Sequence, residues 1–208
     1  MMESDDQLSP LAVLVSGNGS NLQAIINRIE TGELKARINC VISNSPDAFA
    51  LQRADKHGIS TVVHENRLFS DRRQYDAALV EILKKFNVKL VVMAGFMRIL
   101  TDVMLDAFPS AIINIHPSLL PAFPGLNPQK QALDYGVRFT GCTVHFVNYE
   151  TDNGPIILQA AVPVTPDDTV TTLSERILKA EHKIYPEAIK LLVSGKLVIH
   201  GRTVMIRD

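Results

Sequence analysis

The sequence predicts an α/β fold: a mostly parallel β-sheet covered by helices on both faces, with an antiparallel C-terminal part. Three observations carry this. Short continuous apolar runs, such as residues 11–15 and 90–93, have the character of strands buried on both faces. Between these runs lie segments whose apolar residues recur at helical spacing, and that alternation is the pattern of βαβ units. After Gly136 the pattern changes, because residues 140–147 alternate and residues 156–162 form a second strand-like run after a turn.

The elements follow in order. Residues 11–15 form the first strand, and a helix follows with Leu22, Ile25, Ile26 and Ile29 on one face and Gly32 as its stop. Residues 38–42 make the second strand, residues 49–57 a helix closed by Gly58, and residues 61–63 a short third strand. Ser70 is placed to cap the next helix, whose stripe is Tyr75, Ala78, Leu79, Ile82, Leu83 and Phe86. Residues 90–93 and 112–116 are two further buried strands. A turn over residues 148–155 joins the two later strands as a hairpin. A long helix covers residues 171–193 with a bend at Pro186, which removes a backbone donor, and Gly195 ends it. Residues 197–199 and 203–206 pair as a terminal hairpin.

The composition narrows the function. A chain of 208 residues fits one domain, burying roughly 70–75% of its unfolded surface. The 21 basic and 22 acidic residues leave a net charge of −1, which offers no general attraction to nucleic acid or to an anionic membrane. No apolar run approaches the ~20 residues that span a bilayer. Residues 1–10 are expected to be an acidic, polar, disordered lead and not a signal peptide, while Met1 and the terminal hairpin suggest a stand-alone protein, expected to be cytoplasmic. Cys40 and Cys142 lie in apolar surroundings and match no metal or redox spacing, so they are expected to be reduced packing residues. His57, His64, His145, His182 and His200 share no ligand spacing, and no metal is expected.

Chemistry concentrates at the end of the 112–116 strand. Side chains alternate along a strand, so Asn114 and His116 share a face. An amide donor beside an imidazole suits acyl transfer, the amide donating to an oxyanion and the imidazole moving a proton. A capped strand with two satisfied polar side chains is the plainer account. Near the start, Gly17-Asn18-Gly19-Ser20-Asn21 connects the first strand to the first helix, a natural anion site at a helix N-terminus. A dinucleotide fingerprint needs a third glycine where Leu22 stands and an acidic residue where Ser43-Asn44 stand. A Gly-Lys-Ser/Thr ending is absent as well. The loop therefore fits a mononucleotide-type phosphate and not NAD or ATP.

Asn114-x-His116-Pro117-Ser118-Leu119-Leu120-Pro121 resembles the active-site strand of the folate-dependent formyltransferases. Ser16 to Asn21, Ala94 to Leu100 and Asp152-Asn153-Gly154-Pro155 extend the resemblance in order, from about Leu11 to the C-terminal region. It implies the Rossmann-like formyltransferase fold, with a nucleotide-binding half over about residues 11–110 and a folate and catalytic half over about 111–208. It further implies an enzyme of purine synthesis that moves the formyl group of 10-formyltetrahydrofolate, a co-substrate, to the amine of glycinamide ribonucleotide.

Carried onto this chain, the resemblance makes Asn114, His116 and Asp152 the catalytic trio. Asp152 would stabilise the imidazolium of His116. Gly19, Ser20, Asn21, Pro117 and Glu181 would bind the ribonucleotide. Arg72, Met97, Arg98, Ile99 and Leu100 would bind the folate, with Asn114, Asn148, Tyr149, Glu150, Thr151 and Asp152. Two positions depart from the family pattern: Asn153 stands where glycine is frequent, and Leu178 stands where a polar or basic residue is frequent. Small-molecule substrates are the expected partners of a monomer or homodimer, without nucleic acid or membrane. The rivals are a formyltetrahydrofolate hydrolase, which usually has an extra N-terminal domain, a longer and more basic methionyl-tRNA formyltransferase, and a non-catalytic phosphosugar- or folate-binding protein.

Overall fold

Five consecutive side chains, Leu11 to Val15, have no exposed surface. They belong to strand β1 (Ser9–Val15), which pairs in parallel with β2 (Ala36–Ser43) on one side and β4 (Leu90–Met93) on the other. A strand flanked on both edges and covered on both faces has no position left for a polar side chain, which is why this run is apolar throughout. The computed structural model describes residues 8–207. The chain divides into two compact units, Met1–Ile113 and Asn114–Asp208. The sequence analysis treated residues 1–10 as a disordered lead. Residues 1–7 lie outside the described residues, and Ser9 and Pro10 open β1.

In the first unit, α1 (Ser20–Glu30), α2 (Phe49–Lys56), α3 (Arg72–Lys85) and α4 (Asp102–Ala107) alternate with the strands. Strand β3 (Thr61–Val63) pairs in parallel with β2, so the order in this unit is β3-β2-β1-β4, and β5 (Ile112–His116) runs from this unit into the next. The stripe of α3 points inward as its spacing predicts: Tyr75, Leu79 and Leu83 are fully buried. Its cap is Asp71 and not Ser70, because the Asp71 side chain accepts from Gln74 N at 2.9 Å. Ser70 Oγ donates to the Gln74 side chain instead. A 3-10 turn, Asn66–Leu68, precedes this helix without having been anticipated.

In the second unit, β6 (Phe139–Phe146) and β7 (Ile156–Pro163) form the expected antiparallel hairpin. Gly141 lets the two strands close: a Cβ there would lie 1.9 Å from the Ala160 carbonyl oxygen. Helix α6 (Val170–Val193) runs through Pro186 as one element. Its Leu173 and Ile177 pack with Cys142 of β6 and Val162 of β7 in a buried cluster. Strands β8 (Leu197–His200) and β9 (Thr203–Ile206) pair antiparallel, and β9 adds to β7 in parallel, giving the order β5-β6-β7-β9-β8. Helix α5 (Pro128–Tyr135) was missed by the sequence pattern. The fold is thus the expected α/β type, with a mostly parallel sheet flanked by helices and antiparallel strands toward the C-terminus.

Two expectations follow from the packing. Burial pushes the Cys40 and Cys142 thiols up to about 12, so little nucleophilic thiolate exists at pH 8. A thiol reagent such as dithionitrobenzoate should leave the native protein unlabelled over minutes and titrate both cysteines after unfolding in urea. At the start of α6, Arg176 donates to Asp168 at 2.7 and 2.9 Å and holds its carboxyl well below the usual carboxylate range. A depressed folded value contributes stability above the unfolded value and loses it as pH falls through the folded one. Asp168→Asn should therefore melt below the wild type at pH 7, with the gap shrinking as pH drops below ~4.

Candidate active site

The first unit holds the phosphate-type loop. Helix α1 starts at Ser20 behind Gly19, which is left-handed at φ 74°, and no side chain caps it. An uncapped helix N-terminus has backbone N–H groups suited to an anionic group. Two residues that sequence spacing could not reveal shape the loop. Arg53 of α2 donates from Nε to Asn18 O at 2.9 Å and from Nη2 to Asn18 Oδ1 at 3.0 Å. Ala50 N donates to Gly17 O at 3.0 Å, which presses the start of α2 against Gly19. Ser20 and Asn21 occupy the first turn of α1, with Asn21 buried.

The segment expected to bind folate follows β4 in the same unit. Met97 and Ile99 are exposed, Leu100 is buried, and the Arg98 guanidinium lies 4.3 Å over the Tyr75 ring. Backbone contacts fix this segment at both ends. Met97 N donates to Ser16 Oγ at 2.9 Å, and Ser16 Oγ donates to Asn44 Oδ1 at 2.6 Å. Thr101 donates from N and Oγ1 to Asp76 Oδ2, at 2.6 and 2.7 Å. Burial pushes the Asp76 carboxyl up, and the two Thr101 hydrogen bonds oppose that shift. Arg72 lies exposed in the first turn of α3, where its charge reaches Asp76.

The second unit brings Asn114, His116 and Asp152 into one polar centre. His116 is 5% exposed, and its Nδ1 lies 3.3 Å from Asp152 Oδ2. Its Nε2 lies 2.9 Å from the Phe123 carbonyl oxygen. A carbonyl only accepts, so Nε2 carries a proton, and a ring protonated on both nitrogens satisfies both partners. Asp152 is left-handed at φ 52°, and its Oδ2 also accepts from Gly125 N at 2.8 Å. Asn114 Nδ2 lies 3.4 Å from His145 Nε2. His145 thus joins the expected trio, and Phe123 and Gly125 enter through backbone atoms that no side-chain pattern could reveal.

The surrounding loop is tied to the hairpin. Thr143 Oγ1 donates to Ser118 O at 2.7 Å and accepts from Leu120 N at 3.0 Å, while Gln159 donates to Leu120 O at 2.9 Å. The Leu120–Pro121 peptide is cis, and Pro117 is half-buried beside His116. In the turn after β6, Asn148 Oδ1 accepts from Glu150 N at 3.2 Å, while Tyr149, Glu150 and Thr151 are exposed. Glu181 is buried on α6, where its charge bears on the Cys142 thiol. Among the described residues, no group of three or more His, Cys, Asp or Glu is arranged to hold a metal, and no helix is long and apolar enough to cross a membrane.

Residues 10–189 match the family described as formyl transferase. The chain is 44% identical over 190 residues to the phosphoribosylglycinamide formyltransferase of Escherichia coli (strain K12), covering 91% of this chain and 90% of that protein. It is 49% identical over 200 residues to the trifunctional purine biosynthetic protein adenosine-3 of Homo sapiens, covering 95% of this chain but 20% of that protein. The chain therefore spans about a fifth of the length of that human relative. A crystal structure of glycinamide ribonucleotide transformylase 1 from Symbiobacterium toebii superposes with a TM-score of 0.96 at 51% identity, covering 97% of this chain and 95% of that one.

The phosphate-type loop carries a direct test. A Cβ on Gly19 would lie 2.5 Å from Ala50 Cβ, at a φ that L-residues disfavour. Gly19→Ala should lose more than ~1 kcal/mol of stability in urea unfolding. An unchanged midpoint would show that α2 yields without penalty.

Proposed function

Because the chain belongs to the formyl transferase family, we propose that it transfers the formyl group of 10-formyltetrahydrofolate to the amine of glycinamide ribonucleotide. The observation that carries this reading is the buried His116–Asp152 pair at 3.3 Å, with Asn114 linked to it through His145. An amide donor, an imidazole and a carboxylate together serve acyl transfer and have no purpose in a protein that only binds a phosphosugar.

The roles follow from the chemistry of each group. Gly19, Ser20 and Asn21 receive the ribonucleotide phosphate at the α1 N-terminus. Pro117 and Glu181 hold the rest of the ribonucleotide. Met97, Arg98, Ile99 and Leu100 offer main-chain groups to the flat pterin ring, with Arg72 and the segment Asn148, Tyr149, Glu150, Thr151 and Asp152 completing the folate contacts. The formyl oxygen replaces the Phe123 carbonyl as acceptor of the His116 Nε2 proton.

The amine attacks the formyl carbon and forms a carbon–nitrogen bond. Asn114 and protonated His116 stabilise the resulting oxyanion. The tetrahedral carbon then releases the folate nitrogen, breaking the old carbon–nitrogen bond, and the proton lost by the amine passes to that nitrogen through water held by Asp152. The products are the formylated ribonucleotide and tetrahydrofolate, so atoms and charge balance without a metal or redox partner.

The test is spectrophotometric: folate product is followed with and without glycinamide ribonucleotide. Product is expected only with the ribonucleotide. His116→Ala and Asp152→Ala should each lower turnover ~10²–10⁴-fold while keeping a cooperative melt. Folate turnover without ribonucleotide would indicate a hydrolase, and ribonucleotide binding without turnover would indicate a binding protein. Near-normal turnover in either variant would reject the roles of these two residues.

A further inference from the structure

The β6–β7 pairing is irregular at one place. Val144 pairs with Leu158, but the next residue, His145, pairs with Ile156, so β7 contributes an extra residue there. Such a bulge re-aims a neighbouring side chain. His145 is 2% exposed, with Nδ1 2.9 Å from the Phe146 carbonyl oxygen. That oxygen only accepts, so the proton of a neutral ring sits on Nδ1 and leaves a lone pair on Nε2. Burial pushes His145 down, which favours the neutral ring.

The backbone around the acceptor is equally constrained. A Cβ on residue 154 would lie 1.6 Å from the Phe146 oxygen and 3.4 Å from His145 Nδ1, so only Gly154 leaves this carbonyl in place. Phe146 N donates to Pro155 O at 2.9 Å and anchors the same residue through its preceding peptide. Among the described residues, the donor within hydrogen-bond reach of the Nε2 lone pair is Asn114 Nδ2 at 3.4 Å. Asp152 Oδ1 lies at 3.8 Å, beyond such reach.

We propose that His145 is a positioning residue for formyl transfer: its Nε2 lone pair selects the nitrogen end of the Asn114 amide, leaving the second N–H of that group to donate to the oxyanion. The inference rests on the formyl-transfer reading above and deepens it. Without the lone pair, the amide turns over about its last side-chain bond and presents an oxygen to the oxyanion, which repels it. A doubly protonated His145 would select the same wrong face. The effect belongs to the transition state, so it is read in kcat and not in KM.

Two substitutions separate the atoms involved. Asn at 145 reproduces the donor to the Phe146 carbonyl but is too short to meet Asn114, whereas the Gln amide reaches the Nε2 position and offers an acceptor there. In the formyl-transfer assay, His145→Asn should lower kcat by ~10-fold or more, bounded by the ~10²–10³ of losing an oxyanion donor. KM for both substrates should stay within ~3-fold. His145→Gln should recover a large part of that loss. Combined with Asn114→Ala, His145→Asn should cost nothing further, because the two act as one unit.

A long-range ¹H–¹⁵N spectrum of the unsubstituted protein, labelled at histidine nitrogen, checks the tautomer independently of any variant's folding. Nδ1 should be pyrrole-type and Nε2 pyridine-type, and a protonated Nε2 overturns the proposal. So does full kcat in His145→Asn, or an additive double variant. Full turnover in Asn114→Ala would instead sink the reading of the site itself, while an inactive Asn114→Ala beside a fully active His145→Asn would remove only the role of His145.

Discussion

Asp152 Oδ2 accepts from Gly125 N at 2.8 Å and faces His116 Nδ1 at 3.3 Å, so one carboxylate oxygen ties three separate segments together: β5, the loop after it and the β6–β7 turn. The side chain is 11% exposed. Taking a carboxylate out of water costs several kcal/mol unless hydrogen bonds and an opposite charge compensate. The three segments are therefore not free to shift one at a time, since each supplies part of that compensation. Asp152 and Phe123 are both left-handed without being glycine, at φ 52° and 54°. Such conformations persist where the surroundings over-determine them, and here the same polar centre over-determines both.

The first unit fixes the segment after β4 with a hydroxyl at one end and a carboxylate at the other. The hydroxyl of Ser16 lies between Asn44 and Met97, so the loop after β1 and the segment after β4 share one hydrogen-bonding atom. Asp76 holds the far end of that segment at Thr101 through two bonds. A segment anchored at both ends loses little further conformational freedom when a ligand binds, which is the general advantage of a preorganised wall. Met97 and Ile99 can then stay exposed while their backbone is fixed.

Much of this was legible in the sequence, for reasons that differ by residue. Strands with uniform burial, such as β1 and β4, declare themselves by composition, and α1 and α3 by their stripes. Helix α5 did not, because only Pro128 and Ala132 of its eight residues are buried, too few to mark a period. Asn114 and His116 were readable as neighbours because strand period fixes their common face, while Asp152 needed the family pattern. Phe123 and Gly125 act through a carbonyl and an N–H that every residue owns, so no side-chain code announces them. Arg53 reaches Asn18 across 35 residues of chain, a contact only the folded packing creates. His145 shares no ligand spacing with the other histidines, and it lies beside a bulge that periodicity does not encode, so its approach to Asn114 was not legible in the sequence.

The β6–β7 hairpin has a consequence for how variation in this chain is interpreted. At Gly141 and Gly154 an added Cβ would sit 1.9 and 1.6 Å from a carbonyl oxygen, so hydrogen is the only side chain that fits. In a saturation library these two codons would be depleted by loss of folded protein, whatever the chemistry of the site. On the formyl-transfer reading proposed above, codons for His116 and Asp152 would be depleted chiefly by loss of turnover. Comparing abundance with growth at these four positions gives such a library an internal scale, with scaffold at one end and chemistry at the other.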